Sequence, residues 1–335
     1  MKKIIILVHD GFFTQHLHEY QNIDLSVVEE ALKRFDCEVK YLEYQDLANY
    51  NYQVDENAVY WCGSHQNISI KQYINDVLTA RFYNRNNLVP SLDTVLAHEN
   101  KGLMGILAAE KMLPYIKQNY RLADKISLPQ QVSYPFVFKS LGGAGSKGVS
   151  LVKNQKQFLQ SIKCTLRLDR SLKEVKEDAR NIARKLLKRG EQARYLTQRA
   201  KFCEQEFIPE LSSDYKVLVF WEKVFVLKRS VREGDFRASG SGCFEIQSTI
   251  DNVLAELAIS CREKLSVPYC SLDFVTLPSG EYKLIEFQTC HFGPYTQISS
   301  EVFFRAGNIW GNTSSCVFES ELVESMLSYV NETSI

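Results

Sequence analysis

Residues 136–152 read FVFKSLGGAGSKGVSLV, two apolar runs on either side of a loop that contains four glycines. The β-branched and aromatic residues of the runs predict two strands, which the glycine loop joins as a hairpin. Glycine permits close approach of the backbone to phosphate oxygens, and its N–H groups can bind them. The stretch is therefore either an ordinary mobile turn or a flap that closes over phosphates.

The glycine loop matches the pattern GxGxxG from Gly143 to Gly148, which by itself is a weak signal. A dinucleotide-binding fingerprint requires a helix after the glycines, but the strand-like VSLVKN follows here. A Walker A loop has Ser or Thr after its lysine, whereas Lys147 precedes Gly148. A protein-kinase lysine lies on a later strand, and here Lys139 comes before the glycines, with no HRD motif in the chain. A hairpin with a flexible, lysine-bearing tip remains.

The composition is that of a globular protein with no charge bias. The chain has 335 residues, a length typical of two domains, with 45% hydrophobic and 24% charged residues and a formal net charge of zero. There is no apolar run of about 18 residues. None of the nine cysteines forms a CxxC pair, which argues against a zinc ribbon and favours a reducing compartment. We therefore expect a cytoplasmic protein with no nucleic-acid partner and no membrane insertion.

The order of predicted elements changes along the chain. Residues 1–95 alternate strands with a helix, which predicts a small parallel sheet. After residue 135 hairpins predominate, so the whole chain is predicted to be mixed α and β (α+β). Between them, residues 153–201 carry fifteen lysines or arginines against five aspartates or glutamates. This basic segment is either a solvated helix face or an arm that grips an anionic substrate.

A second predicted hairpin, SLDFVTLPSGEYKLIEFQ at residues 271–288, carries acidic residues on both strands. If its turn is centred between Ser279 and Gly280, Asp273 lies directly opposite Glu286, and Gln288 shares their face. The other face then carries the core residues Leu272, Phe274, Ile285 and Phe287. Like charges directly opposite each other destabilise a sheet, and burying them adds a desolvation cost. Mg²⁺ bound by these oxygens removes both costs, whereas the alternative is a solvent-exposed acidic pair.

A third hairpin, YKVLVFWEKVFVLKRS, leads into VREGDFRASGSG and brings four cations within ten residues. They are Lys228, Arg229, Arg232 and Arg237. A small-residue loop with arginines beside it suits a transferred phosphoryl group or a carboxylate. Because surface arginines are common, each of them is also open to a bystander role.

Together these stretches resemble the ATP-grasp superfamily, which includes glutathione synthetase, D-alanine–D-alanine ligase and the ligases that add glutamate to ribosomal proteins. The matching motifs cover roughly residues 98–300 and are, in order, ENKGLMG, FVFKSLGGAGSKGVSLV, EQEFI with the cationic hairpin, and SLDFV…LIEFQ. The resemblance implies two lobes of antiparallel sheet and helices that clasp ATP, preceded by a small parallel α/β domain. It divides the chain into 1–95, a small lobe at 96–205 with an insertion at 155–200, and a large lobe at 206–335.

The resemblance also implies a nucleotide site. Lys101 and Lys139 would hold the ATP phosphates, beneath a flap whose contacting residues are Gly143, Gly145, Ser146, Lys147 and Gly148. The adenine would be bound at a hinge made of Glu204, Gln205, Glu206 and Phe207. Asp214 would contact the ribose, with Glu210 as a competitor.

The metal and catalytic positions follow from the same resemblance. Mg²⁺, with Mn²⁺ as a substitute, would be bound by Asp273, Glu286 and Gln288. The third position is usually asparagine in the family, whereas this chain has the longer glutamine Gln288. Arg237 would bind the acyl phosphate, with Arg229 and Arg232 as further candidates.

The resemblance implies an ATP-dependent ligase that activates a carboxylate and joins it to an amine, on an amino acid or sugar acid. A phosphotransferase of the same fold and a non-catalytic nucleotide-binding module are the alternatives. The basic insertion favours an anionic, sugar-linked acceptor, and a homodimer stays open. His291, just beyond the predicted metal strand, is either a substrate contact or a structural residue.

Overall fold

The structure is a computed structural model. It describes residues 2–13, 22–123, 128–129, 131–141, 148–168, 172–189, 199–209, 211, 213–231, 243–247, 249, 251–305, 309–313 and 316–334.

Strands and helices alternate in the first part of the chain, and strands predominate in the rest. The strands are β1 (Lys2–Val8), β2 (Cys37–Glu43), β3 (Ala58–Trp61), β4 (Leu88–Val89), β5 (Gln118–Ala123), β6 (Phe136–Ser140), β7 (Val149–Val152), β8 (Ala200–Glu206), β9 (Ser213–Phe220), β10 (Lys223–Ser230), β11 (Phe244–Ile246), β12 (Tyr269–Thr276), β13 (Tyr282–Gln288), β14 (Val302–Arg305) and β15 (Ile309–Asn312). The helices are α1 (Leu25–Arg34), α2 (Tyr44–Ala48), α3 (Ile68–Phe82), α4 (Leu92–Ala97), α5 (Lys101–Glu110), α6 (Gln155–Leu168), α7 (Leu172–Leu186), α8 (Asn252–Leu265), α9 (Tyr295–Ser299) and α10 (Phe318–Thr333). No described helix is both long and apolar enough to cross a membrane.

The chain divides into two compact units. The larger unit comprises Met1–His98, Leu107–Tyr115 and Glu210–Ile335, and the smaller unit comprises Glu99–Ile106 and Ile116–Pro209. The lobe boundaries near residues 95 and 205 are inferred from the sequence motifs, and they stay a prediction.

The beginning of the larger unit is the predicted small parallel sheet, with strand order β2-β1-β3-β4. Helix α1 covers it, and Asp24 begins this helix by accepting hydrogen bonds from the backbone N–H groups of Ser26 (2.9 Å) and Val27 (3.4 Å). The predicted parallel arrangement of this region is confirmed.

The rest of the larger unit is an antiparallel sheet with strand order β13-β12-β9-β10-β14-β15, and β11 also pairs with β10. Its core is continuous with that of the parallel sheet, since Trp61 donates a buried hydrogen bond of 2.7 Å to the hydroxyl of Tyr269. Helix α10 contributes Met326 and Val330 to the same core. The predicted mixed α and β fold is therefore confirmed.

The smaller unit is built on an antiparallel sheet with strand order β5-β8-β6-β7. Four phenylalanines form the centre of its core, and the rings of Phe138 and Phe202 stack at 4.9 Å between centroids. The stretch quoted first forms β6 and β7, as predicted, with Phe136 opposite Val152. The backbone N–H of Ser140 donates to the carbonyl of Gly148 (2.9 Å), which closes the hairpin at the base of the glycine loop.

Gly148 is predicted to tolerate no side chain. Its φ is +77°, and a Cβ there would overlap the hydroxyl of Ser140. Gly148→Ala should lower the free energy of unfolding by more than the ~1–2 kcal/mol expected for a left-handed backbone alone. Gly280→Ala is the control, because its φ is +84° with no atom within 4 Å of the new Cβ. Denaturant unfolding of both variants checks this, and equal losses would show that Ser140 simply moves aside.

Candidate functional site

Two buried lysines of the smaller unit lie close to one thiol. Lys139, on β6, is directly opposite Cys203 on β8, and Lys101 begins α5. Burial raises the pKa of the Cys203 thiol to about 12, although the ammonium groups of Lys139 and Lys101 act against this rise. The structure thus brings together the two lysines that the resemblance assigns to ATP phosphates.

Close packing of α5 on β5 sets the position of Lys101. A Cβ on Gly102 would lie 2.8 Å from three carbons of the Tyr120 ring, so only glycine permits this approach. The carbonyl of Lys101 accepts a hydrogen bond of 2.6 Å from the amide of Gln118. The backbone N–H of Lys101 donates to the carbonyl of Leu141, the last described residue before the glycine loop, at 3.3 Å. The ENKGLMG motif therefore anchors Lys101 at the base of that loop.

The predicted adenine hinge lies at the end of β8. Glu204 forms an ion pair with Arg121, and Gln205 donates a hydrogen bond of 3.3 Å to Gln118. The N–H of Glu206 donates to the carbonyl of Lys117 at 2.9 Å. These contacts fix the strand end, and the role of Glu206 and Phe207 in binding adenine stays a prediction.

Several predicted residues lie outside the described part of the chain. They are Gly143, Gly145, Ser146 and Lys147 of the flap, Glu210, and the arginines Arg232 and Arg237. Their roles stay predictions.

In the larger unit, the acidic hairpin has the predicted pairing at the end away from its turn. Asp273 on β12 is directly opposite Glu286 on β13, and Ser271 is directly opposite Gln288. Because residues directly opposite each other in an antiparallel pair project to the same face, Asp273 and Glu286 share one side of the sheet. Gln288 shares it too, since it is two residues from Glu286.

The turn of this hairpin differs from the prediction. The N–H of Leu277 donates to the carbonyl of Glu281 (2.8 Å), which encloses the three residues Pro278, Ser279 and Gly280. A turn centred between Ser279 and Gly280 is therefore wrong. The observed three-residue turn shifts the neighbouring pairs by one residue from the predicted register. A bulge between the Phe274–Leu284 and Asp273–Glu286 pairs then restores that register.

The bulge also changes which residue fills the core. Phe274 pairs with Leu284, which is fully buried, and Ile285 is the extra residue that the bulge accommodates. The prediction of Ile285 as the core residue is therefore wrong by one position. Because the bulge lies on the turn side of Glu286, the acidic pair is unaffected.

The central feature of this face is a guanidinium shared by two carboxylates. Arg229 on β10 donates to both oxygens of Asp214, at 2.5 and 2.8 Å, and to Oδ2 of Asp273 at 2.8 Å. Lys216 approaches the other oxygen of Asp273 at 3.3 Å. Asp214 and Arg229 are 1% and 7% exposed, so these ion pairs are largely shielded from water. Asp214 thus holds Arg229, and its contact with ribose stays a prediction.

The pKa values of Asp214 and Asp273 shift in opposite directions beside the same cations. Burial raises the pKa of Asp214 to about 6 against the opposing effect of Arg229. Burial also acts to raise the pKa of Asp273, but Arg229 and Lys216 together lower it to about 2. Asp273 is therefore ionised at neutral pH, as a metal ligand must be.

Lys216 is a residue of this face that sequence reasoning missed. It lies directly opposite Asp273 because β9 pairs with β12. Those strands are about fifty residues apart in the chain, so no local pattern indicates that they are neighbours. The alternation of Asp214 and Lys216 along one strand was the only available signal.

The donor set of this face fits a hard divalent cation. It offers the carboxylates of Asp273 and Glu286 and the amide oxygen of Gln288, all oxygen ligands of the kind that Mg²⁺ prefers. The hydroxyl of Ser271 is buried on the same face and has no hydrogen-bond partner within the described ranges. A buried polar atom without a partner is typical of a site that completes its bonding with an ion, a water or a ligand.

Comparison with known proteins identifies the fold. No protein-family model matches the chain, and a comparison with curated proteins finds no significant match. Solved structures do match over nearly the whole chain. A D-alanine–D-alanine ligase from Bacillus anthracis complexed with ATP has a TM-score of 0.54 at 11% identity, covering 99% of this chain and 98% of that one. The chain has the ATP-grasp fold.

Two further solved ATP-grasp structures are similar. A RimK domain ATP-grasp protein from Sphaerobacter thermophilus has a TM-score of 0.54 at 13% identity, covering 98% of this chain and 100% of that one. A RiPP-associated ATP-grasp ligase from Chryseobacterium gregarium, solved with ADP and a leader and core peptide, has a TM-score of 0.53 at 11% identity and covers 98% and 97%. At these identities the likeness establishes the ATP-grasp fold and leaves the reaction to be argued from the site.

The buried ion pair of this ATP-grasp chain should be sensitive to loss of one partner. Asp214→Asn should lower the free energy of unfolding by about 3 kcal/mol, because it leaves part of the buried Arg229 charge uncompensated. The control is Glu245→Gln, which breaks the neighbouring pair with Lys228 (2.9 Å) on the exposed side of β10. That exposed pair should contribute less than ~1 kcal/mol. Urea unfolding measures both, and similar losses would contradict the central role of Arg229.

Proposed function

We propose that this chain is an ATP- and Mg²⁺-dependent ligase, which activates a carboxylate as an acyl phosphate and joins it to an amine. One observation carries the proposal, namely that Asp273 and Glu286 are cross-strand partners on one sheet face with Gln288 beside them. The ATP-grasp fold supports it, and so do the solved neighbours that are ligases bound to ATP or ADP.

The metal would be held by Asp273, Glu286 and Gln288. When bound, Mg²⁺ neutralises the phosphate oxygens of ATP and polarises the phosphoryl group for transfer. Arg229 and Lys216 compensate the buried carboxylate of Asp273.

In the proposed reaction, a carboxylate oxygen of the substrate attacks the γ-phosphorus of ATP, and the bond to the bridging oxygen of ADP breaks. The amine nitrogen then attacks the acyl carbon, phosphate leaves with the carbon–oxygen bonding pair, and the nitrogen loses a proton. The chain contributes mainly placement and charge compensation to both steps. Lys101 and Lys139 would hold the phosphates, and Arg237 would bind the acyl phosphate.

The substrates are proposed by class. An amino acid or a sugar acid fits the acid, and the basic character of residues 153–201 favours an anionic, sugar-linked acceptor. All nine cysteines lie in the described part of the chain and are free thiols there, which supports our proposal of a cytoplasmic location.

The decisive experiment measures ADP release with pooled carboxylates and amines, and then replaces the amine by hydroxylamine. A ligase yields a hydroxamate of its acid substrate. A phosphorylated hydroxyl product would instead indicate a phosphotransferase. Nucleotide binding without ADP release in any pool would indicate a non-catalytic module.

Glu286 offers the sharpest test of the metal site, because Asp273 has the additional task of holding Arg229. Glu286→Gln should reduce Mg²⁺-dependent ADP release by about 100-fold, as expected when charge stabilisation of a phosphoryl transfer is lost. Glu281→Gln is the matched control, since Glu281 is exposed on the same hairpin and pairs with Lys283 at 2.5 Å. Steady-state rates over a Mg²⁺ titration measure the effect. Equal rates for the two variants would exclude Glu286 as a metal ligand.

A further inference from the structure

The segment that follows β13 is tied to a buried histidine. The ring nitrogen Nδ1 of His98 lies 3.3 Å from the backbone nitrogen of Thr289 and 3.4 Å from that of Cys290. The hydroxyl of Thr289 also donates to the carbonyl of Thr94 in α4, at 3.1 Å. These residues directly follow Gln288, so the exit of the candidate metal strand is fixed by His98 and α4.

The two backbone donors determine where the His98 ring carries its proton. Because both N–H groups point at Nδ1, this nitrogen must accept, and in a neutral imidazole the proton then sits on Nε2. Complete burial, with smaller effects of His291 and Lys71, lowers the pKa of His98 well below its usual value. The ring is therefore neutral, with an Nε2–H group that can only donate.

The ring of His98 lies beside the half-buried ring of His291. The two ring centroids are 4.8 Å apart, and one ring nitrogen of each residue lies within 4.8 Å of the other. His98 Nε2 is buried and has no hydrogen-bond partner among the residues that the structure describes. A buried donor without an acceptor costs about 1–3 kcal/mol, a cost that a hydrogen bond to the His291 ring would remove.

We infer that His98 is a positioning residue which donates Nε2–H to Nδ1 of His291 and thereby fixes His291 as a neutral donor, through its own Nε2–H, to an anionic oxygen of the substrate. The direction of each hydrogen bond follows from the one before it, starting from the backbone N–H groups of Thr289 and Cys290. The inference rests on the proposed function and adds to it a recognition residue for the acid or phosphoryl group.

This arrangement excludes two other roles for the pair. A nitrogen that carries a proton cannot bind a metal, so His98 Nε2 is not a ligand. His291 with a proton on Nε2 is equally unable to take a proton from an incoming amine through that atom.

Nitrogen NMR of the wild-type protein labelled with ¹⁵N-histidine tests the chain of bonds directly. His98 and His291 should both carry their proton on Nε2 at neutral pH. A proton on Nδ1 of either ring, or averaging between the two nitrogens of His291, would overturn the proposal. The measurement needs neither a substrate nor a variant that folds.

Two variants separate the relay from simple support of the loop. His98→Asn keeps an acceptor near the position of Nδ1 and loses the Nε2–H donor. His98→Gln keeps a donor near the position of Nε2 and loses the acceptor. The relay predicts that His291 averages between tautomers in His98→Asn, while thermal unfolding shows that the variant is folded. An unchanged His291 in folded His98→Asn would assign His98 to loop support alone.

The ligand class is tested by titrating wild type with acetate, orthophosphate or methylammonium. Acetate or orthophosphate should shift the Nε2 signal of His291, and the more effective of the two identifies the carboxylate or the phosphoryl group as the partner. No shift with either anion, or an equal shift with methylammonium, would overturn the proposal. The ADP-release assay stays independent, so a failure here with a positive hydroxamate test would leave the ligase proposal standing.

Discussion

The guanidinium of Arg229 is the constraint on which the rest of the candidate metal face depends. Asp214, Asp273 and Glu286 lie on one side of a sheet, and the first two are almost fully buried. Burying carboxylates costs several kcal/mol each unless cations compensate them. Arg229 binds two of the three and Lys216 assists at Asp273, so the face can form before any metal arrives.

The sequence predicts those features of the site whose partners are close in the chain. The pairing of Asp273 with Glu286 follows from one hairpin and the period of two residues along a strand. The bulge cannot be predicted in this way, because the sequence LPSG is compatible with both a two-residue and a three-residue turn. Lys216 was missed for another reason. Its place beside Asp273 depends on the pairing of β9 with β12, a long-range choice that local alternation does not encode.

The fold shows the same division between local and distant information. The strands, including the β6–β7 hairpin and those of the parallel sheet, can be predicted because each has its own local sequence pattern. The continuity of the core between the parallel sheet and the later antiparallel sheet is not, since it rests on contacts such as Trp61 with Tyr269, about two hundred residues apart. Both residues look like ordinary strand aromatics in the sequence. Only packing reveals that the first ninety-eight residues and the antiparallel sheet stabilise each other.

The same edge strand, β13, carries the metal candidates and leads to His291, and it is anchored on both sides of them. At the bulge, the hydroxyl of Tyr115 donates to the carbonyl of Ile285 (2.9 Å), and the N–H of Leu284 donates to the carbonyl of Pro114 (2.8 Å). Beyond Gln288, Nδ1 of His98 accepts from the next two backbone N–H groups. An edge strand is otherwise prone to slip, and a slip of one residue would turn Glu286 to the opposite face. The anchors therefore protect the register on which the proposed metal site depends, and they fix the exit of β13 just before His291.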